Sequence, residues 1–259
     1  MARPNGIVAL LTDFGLRDPY AGAMKGALLS VYPRTRIVDI SHEVEPQDVA
    51  AASFLLRHSY PYFPKGTLFV VVVDPGVGTE RAAIALETRD HLFLAPDNGI
   101  LSFLVEKRRL VRIANEKFFR HPVSKTFHGR DVFAPVAGHL LRGRSLNELG
   151  ETIRSLVQLP TPTVRKTPGG IVGEVVAIDR FGNLVTNIAL DRLSATRALE
   201  VRVGQARIRG LSATYAARKA DELLAYVGSG GALEIAVHRG SAAARLRAKI
   251  GSSVTCSSS

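Results

Sequence analysis

Uninterrupted apolar runs of strand length, separated by segments of helical period, set the pattern of the first 160 positions. Ile7 to Leu11 reads as a buried strand that stops at Thr12-Asp13-Phe14-Gly15. Tyr20 to Val31 has helical spacing and ends before Pro33, and Arg36 to Ile40 is a second strand. From Asp48 to Tyr60, the residues Val49, Ala52, Ser53, Leu56 and Tyr60 share one helical face, with Asp48 placed to cap the start. Leu68 to Val73, with four consecutive valines, is a third strand that stops at Asp74. Ala82 to Leu86 and His91 to Ala95 read as a hairpin around Thr88-Arg89-Asp90, and Gly99 to Val105 and Asp131 to Arg142 read as helices. A strand without polar alternation needs apolar partners on both faces, so this half is expected to be an α/β domain with a mostly parallel central sheet.

The texture then changes. Leu159-Pro160-Thr161-Pro162-Thr163 and Lys166-Thr167-Pro168-Gly169-Gly170 are rich in proline and glycine. After them come short strand signals at close spacing: Ile171 to Ile178, Leu184 to Ile188, Leu199 to Val203, Ala206 to Ile208, Leu223 to Val227 and Ala232 to Val237. The expected organisation is an N-terminal α/β domain over 1–160, a linker over 161–170 and a smaller C-terminal antiparallel β-barrel domain over 171–259. The serine-rich end, Gly251 to Ser259, is expected to fray.

Composition narrows the function classes. The 259 residues are 46% hydrophobic and carry a formal charge of +11. A basic chain invites a nucleic-acid reading, but the arginines are dispersed and no aromatic residues interleave with them. Neither nucleic acid nor a membrane is expected as a partner, since no run reaches the ~20 apolar residues needed to span a bilayer. The single cysteine, Cys256, cannot form an internal disulfide, which suits a cytoplasmic setting.

Polar clusters fall where strands end, the place where open parallel sheets bind ligands. Asp13, after the first strand, is placed to accept hydrogen bonds from a ribose diol. Asp74-Pro75-Gly76-Val77-Gly78-Thr79-Glu80-Arg81 follows the third strand, with Arg81 able to fold back towards Asp74. Thr126-Phe127-His128-Gly129-Arg130-Asp131 sets a histidine, the side chain that titrates nearest neutrality, before a helix. In the second half, Asp179-Arg180-Phe181-Gly182-Asn183 joins two strands. There Asp and Asn could hold an amino acid, while Phe181 could stack on a planar ring. The loop Gly228-Ser229-Gly230-Gly231 offers backbone amides to an adenine edge or a carboxylate. Alone, each cluster also reads as a turn, a helix cap or a surface ion pair; Ala95-Pro96-Asp97-Asn98-Gly99 reads as a helix start, and His42 as structural.

Taken in order from Leu10 to Ala243, the segments LLTDFG, YAGAMKG, VVVDPGVGTER, APDNGILS, TFHGRDVFAP, DRFGNLVTNI and LEIAVHRGSAA resemble the S-adenosyl-L-methionine (SAM) hydroxide adenosyltransferases, relatives of the SAM-dependent fluorinase and chlorinase. The resemblance implies hydrolysis of SAM to adenosine and L-methionine without a metal or cofactor. It also implies a homotrimer with the substrate between one subunit's first domain and a neighbour's second. It places a water-activating set on Asp74, Arg81 and His128 and a ribose-binding role on Asp13; within that set the chemistry leads us to expect Arg81 to stabilise hydroxide-like character while His128 and Asp74 orient the water and accept its proton. Asp179, Phe181, Asn183 and Ser229 match the second domain's ligand loops. His238 stands where the family pattern leads us to expect asparagine, and Gly129 stands where the fluorinase has serine. The rival readings are a SAM-dependent chlorinase, a metal-dependent hydrolase ligated by Asp13, Asp74, His128 and Asp131, and a SAM-binding regulator without turnover.

Overall fold

The computed structural model describes residues 3–189, 191 and 199–258 and divides the chain into two compact units, Met1–Leu159 and Pro160–Ser259. The first unit is built on β1 (Ile7–Thr12), α1 (Tyr20–Val31), β2 (Arg36–Ser41), α2 (Val49–Ser59), β3 (Leu68–Val72), β4 (Ala83–Glu87), β5 (Leu92–Pro96), β6 (Arg109–Arg112) and α3 (Ala134–Leu141). Six strands form one sheet in the order β2-β1-β3-β5-β4-β6. Pairings from β2 through β5 are parallel, and β4 runs antiparallel to both β5 and β6.

The continuous apolar runs lie where both faces of the sheet are covered. β3, β4 and β5 are buried at every position. Alternate residues feed two different cores, because successive side chains leave a strand on opposite faces. Val8, Leu10, Leu68, Val70 and Val72 join the core that includes Met24 and Leu28 of α1 and Val136 and Leu140 of α3. Ala9, Leu11, Phe69, Val71 and Val73 join the one that includes Ala52 and Leu56 of α2. Each fully buried aliphatic or aromatic side chain contributes roughly 1.5–3 kcal/mol. Asp48 caps α2 by accepting the Ala51 amide at 2.8 Å.

Two helical expectations in this unit are corrected. Gly99 to Val105 forms turns, closed by Ser102 N–H to Gly99 O (2.9 Å) and Leu104 N–H to Leu101 O (3.1 Å). Asn98 therefore caps no helix; its amide donates to the Val73 carbonyl at 2.8 Å and ties the turn to the end of β3. The helix expected from Asp131 begins with a π-helical turn, Gly129–Phe133, before α3 takes over. Such turns occur mostly inside helices at functional positions.

The second unit contains β7 (Arg165–Thr167), β8 (Gly170–Ile178), β9 (Leu184–Ala189), β10 (Leu199–Val203), β11 (Ala206–Arg209), β12 (Leu223–Val227), β13 (Ala232–Val237), α4 (Ala242–Leu246) and β14 (Ser253–Ser258). The strands form an antiparallel sheet in the order β11-β10-β14-β8-β9-β13-β12, with β7 paired to β8. The Ser212 amide, just past β11, donates to Ala225 O of β12 at 2.7 Å, so the sheet nearly closes into a barrel. Its interior holds Val175, Leu184, Val201, Ile235 and Val254.

The serine-rich end does not fray. β14 lies between β10 and β8 and pairs with both. Its alternate residues Val254 and Cys256 are buried, while polar side chains lie between them. Deleting residues 253–259 removes at least two buried side chains, about 3 kcal/mol or more. The melting midpoint of the second unit is expected to fall by at least about 10 °C, read by circular dichroism; a midpoint within error of the full chain's would mean that the tail adds nothing to the fold.

Candidate active site

Parallel strands end together at one edge of a sheet, and this brings the first site residues close. Thr12 pairs with Val72 at the ends of β1 and β3, so Asp13 and Asp74 leave the sheet side by side. The chain then doubles back through a tight turn, Thr79 N–H to Gly76 O at 3.1 Å. Gly78 has φ +78°, and a Cβ there would lie 2.5 Å from the Lys125 carbonyl oxygen, so the turn excludes any larger residue.

The return delivers Arg81 onto Asp74. Arg81 Nε donates to both carboxylate oxygens at 2.9 Å, and Nη2 makes a further short contact with Oδ2. Both side chains are nearly enclosed, 10% exposed for Arg81 and 5% for Asp74. The same Nη2 lies 2.8 Å from His128 Nδ1. A guanidinium has no lone pair to offer, so Nδ1 must be the acceptor and the proton sits on Nε2. Burial pushes the His128 pKa down, and the Arg81 charge lowers it further against the weaker pull of Asp74 and Asp131. His128 is therefore the neutral Nε2–H tautomer at pH 7.

This tautomer changes what the cluster offers. His128 has no free lone pair, so the proton acceptor left in the set is Asp74. His128 Nε2–H and Arg81 Nη1 are donors suited to an oxygen nucleophile that carries negative charge. Asp131, one of the four proposed metal ligands, faces away from this task. It is fully buried and accepts from Arg130 Nε and Nη2 at 2.7 Å and from the Ser124 amide at 2.9 Å. Burial raises its pKa, but these bonds and the arginine charges hold the carboxyl below its usual range. Among the described residues, no group of three or more His, Cys, Asp or Glu could hold a metal ion.

Asp13 accepts the Gln47 amide on Oδ2 at 2.9 Å. Its loop is held from beneath by His42, which is buried, bonds Thr12 Oγ1 through Nδ1 at 2.7 Å, and accepts the Gly15 amide on its carbonyl at 2.7 Å. Beside it stands an aromatic wall that the sequence reading missed: Phe14, Tyr20 and Phe127 meet edge to face with centroids 5.4–6.3 Å apart. Gly129 admits that wall, since a Cβ there would come within 3.0 Å of the Phe14 ring. An aromatic beside each of the motifs DFG and FHG was the one signal available.

In the second unit, Asp179 serves its own loop. Oδ1 accepts the Phe181 and Asn183 amides, both at 2.9 Å, and Oδ2 accepts Asn183 Nδ2 at 2.8 Å. Phe181 stands out, 77% exposed, at a pocket of about 550 Å³ lined also by Asn183, Tyr215, Val237, His238 and Ser241. Ser229 is exposed in the β12–β13 turn, at the other end of β13 from that loop. A chain of hydrogen bonds spans the distance: Asn183 Nδ2 to Tyr215 Oη (3.3 Å), Tyr215 to Tyr226 (2.6 Å), and Tyr226 to the Glu234 carboxylate. Tyr226 and Glu234 are cross-strand partners, but Tyr215 opens a single 3-10 turn, Tyr215–Ala217, too short to leave a pattern to read.

A mostly parallel α/β sheet with polar residues clustered at its strand ends, followed by a small, nearly closed antiparallel barrel, defines a two-unit ligand-binding protein. The sequence matches the N-terminal domain of SAM hydroxide adenosyltransferases over residues 8–150 and their C-terminal domain over 173–255. The chain belongs to that family. It is 38% identical over 249 residues to the (R)-S-adenosyl-L-methionine hydrolase of Salinispora tropica, covering 93% of each chain. The protein of the same name from Thermus thermophilus is 38% identical over 256 residues, 94% of this chain and 96% of that one. A fluorinase from Nocardia brasiliensis is 27% identical over 299 residues, 98% of each. A crystal structure of an uncharacterized conserved protein from Thermotoga maritima superposes with a TM-score of 0.90 at 37% identity, covering 96% of this chain and 99% of that one. No helix among the described residues is long and apolar enough to cross a membrane.

The tautomer assignment is open to direct measurement. In ¹⁵N spectra at pH 7, His128 is expected to show a protonated Nε2 and an unprotonated Nδ1, and to titrate below the ordinary histidine value of about 6.5. A cationic His128 at pH 7 would contradict the hydrogen bond from Arg81.

Proposed function

We propose that this protein hydrolyses SAM to adenosine and L-methionine by in-line attack of water on C5′. The observation that carries this reading is the Arg81 guanidinium, held by Asp74 and donating to neutral His128, in a chain 38% identical to a protein named (R)-S-adenosyl-L-methionine hydrolase. The chemistry asks for such a set. Methionine leaves as a neutral thioether, so no acid is needed at the leaving group, and no metal is required to stabilise it. Water is the weak partner. Arg81 Nη1 and His128 Nε2–H stabilise its developing hydroxide character, and Asp74 takes the proton. As hydroxide meets sulfonium the charges cancel, which favours a site closed to solvent.

Asp13 takes the ribose diol through its remaining oxygen. Phe181 and Asn183 hold the base in the second unit's pocket. Asp179 supports them by holding the loop, and the Ser229 turn offers its amides to the methionine carboxylate. The two groups of contacts belong to different subunits of a homotrimer in this reading, which the family resemblance supports.

The test is direct. Purified protein incubated with SAM in ¹⁸O-labelled water is expected to give adenosine and methionine in equal amounts, with the label at the adenosine 5′ position and unchanged turnover in the presence of a chelator. Adenosine without the label would rule out attack by water. In chloride, 5′-chloro-5′-deoxyadenosine as the main product would assign the chain to the halogenase branch.

The site residues separate by kinetics. Asp13→Ala loses a contact made before and during bond formation, so it is expected mainly to raise KM. Arg81→Ala and His128→Ala are expected to lower kcat by roughly 10²-fold or more while SAM still binds in calorimetry. Near wild-type kcat in His128→Ala would return that residue to a structural role.

Assembly is checked by light scattering. A trimer of the 27.9 kDa chain has a mass of about 84 kDa, in keeping with closed cyclic symmetry. An active monomer would refute the shared site.

A further inference from the structure

The loop that carries Asp74 and Arg81 is fastened at both ends by one turn. β5 pairs with β3 only as far as Leu94, opposite Val70, so that ladder stops short of Val73. Val73 is fully buried, and a buried carbonyl needs a donor. Asn98 supplies one: its Nδ2 donates to Val73 O at 2.8 Å. A carbonyl only accepts, so the amide meets it nitrogen first, and Oδ1 is left to accept the Ile100 amide at 3.3 Å. One residue earlier, the Asp97 amide donates to Ala82 O at 2.8 Å, just beyond the Ala83–Pro96 pair of β4 and β5.

Val73 and Ala82 stand immediately outside Asp74 and Arg81. Two consecutive residues, Asp97 and Asn98, therefore grip both ends of the loop from which Arg81 reaches His128. The turn itself has little freedom. Gly99 has φ +95°, and a Cβ there would come 2.7 Å from Leu159 Cγ, so no larger residue fits. Asp97 Oδ1 accepts the Val157 amide at 2.9 Å, which adds a further tie. Inside the loop, Arg81 spans Asp74 and His128 with bonds of 2.9 and 2.8 Å. A guanidinium held on both sides tolerates little movement of the backbone that carries it.

We infer that Asn98 is a positioning residue for water activation: through the Val73 carbonyl it fixes where Asp74 leaves β3, and beside the Asp97 amide on Ala82 it sets how Arg81 meets His128. This rests on the hydrolase reading for the reaction and adds the residue that keeps its water-activating set in register. Asn98 acts through the backbone alone. Without its Nδ2 the Val73 carbonyl loses that donor, and the end of β3 is free to shift. A misplacement of about 1 Å can cost 10²-fold in rate. Asp13 follows a different strand, β1, so its contact with the ribose is not carried by this turn.

The test pairs turnover with the state of His128. Asn98→Ala removes the amide altogether. Asn98→Ser keeps an oxygen for the Ile100 amide, and so the turn, but is too short to reach Val73; it carries the test if Asn98→Ala fails to fold. Both are expected to lower kcat for SAM by about tenfold or more, with KM within about twofold of the wild type. Burial and then the Arg81 charge hold the His128 pKa down, against Asp74 and Asp131. A loosened Arg81 gives up its share, so in ¹⁵N spectra the His128 midpoint is expected to rise towards the ordinary value of about 6.5. Asn115→Ala is the control, since Asn115 Nδ2 makes a bond of the same kind, 2.7 Å to Glu148 O. It is expected to lower thermal stability comparably and to leave kcat and His128 alone. Unchanged kcat in the Asn98 variants reduces that residue to a structural tie and overturns the inference. An unmoved His128 overturns it whatever the rates, as do the same changes in Asn115→Ala. The His128 midpoint needs no turnover. If the wild type does not hydrolyse SAM, the hydrolase reading falls alone: a raised midpoint in Asn98→Ser still supports the positioning of Arg81, and an unmoved one removes it.

Discussion

A guanidinium keeps its charge in a protein, and Arg81 is only 10% exposed. An enclosed charge must be paired and hydrogen-bonded or the fold bears its desolvation. The rest of the site follows from that constraint. β3 ends where it does so that Asp74 stands ready as the counter-charge, and the turn through Gly78 is as tight as it is because Arg81 must return to it within seven residues. His128 has to accept from Arg81, which decides both its tautomer and its neutral state. The π-helical turn at Gly129–Phe133 places that imidazole at the head of α3. The bonds of Arg81 to Asp74 and to His128 thus fix all three side chains against one another.

The second unit uses the same device with different residues. Asp179 and Glu234 are acceptors that cannot be reversed, and each orders the groups bonded to it. Asp179 closes its loop around two backbone amides and turns the Asn183 side chain one way; Glu234 polarises two tyrosines in series. A carboxylate in a ligand loop is easily taken for a ligand. Here it is the anchor that decides which atom its neighbour shows.

These anchors also mark the limit of reading a sequence for chemistry. The motif around Asp13 and the one around Asp74 were legible, because each follows an apolar run that could only be a buried strand. Phe181 was legible as an aromatic in a glycine turn. The roles of Asp179 and Asp131 were not, since both are defined by hydrogen bonds that a list of residue types does not contain. The serine-rich end misled for a related reason. Its alternating Val254 and Cys256 are too few to stand out, and the strand exists because β8 and β10 leave a place between them.

The sequence by itself determined the two-unit plan, the mostly parallel sheet followed by an antiparallel one, and the family, through seven short motifs in a set order. Those features depend on local pattern: apolar runs, turn residues and their spacing. Only the tertiary structure decided that Arg81 reaches His128 across 47 positions, that Asp131 pairs with Arg130, and that Asn183 and His238 line one pocket. Hydrogen bonds and the pairing of enclosed charges are made between neighbours in space, and a strand order such as β11-β10-β14-β8 makes neighbours of residues that no local pattern connects.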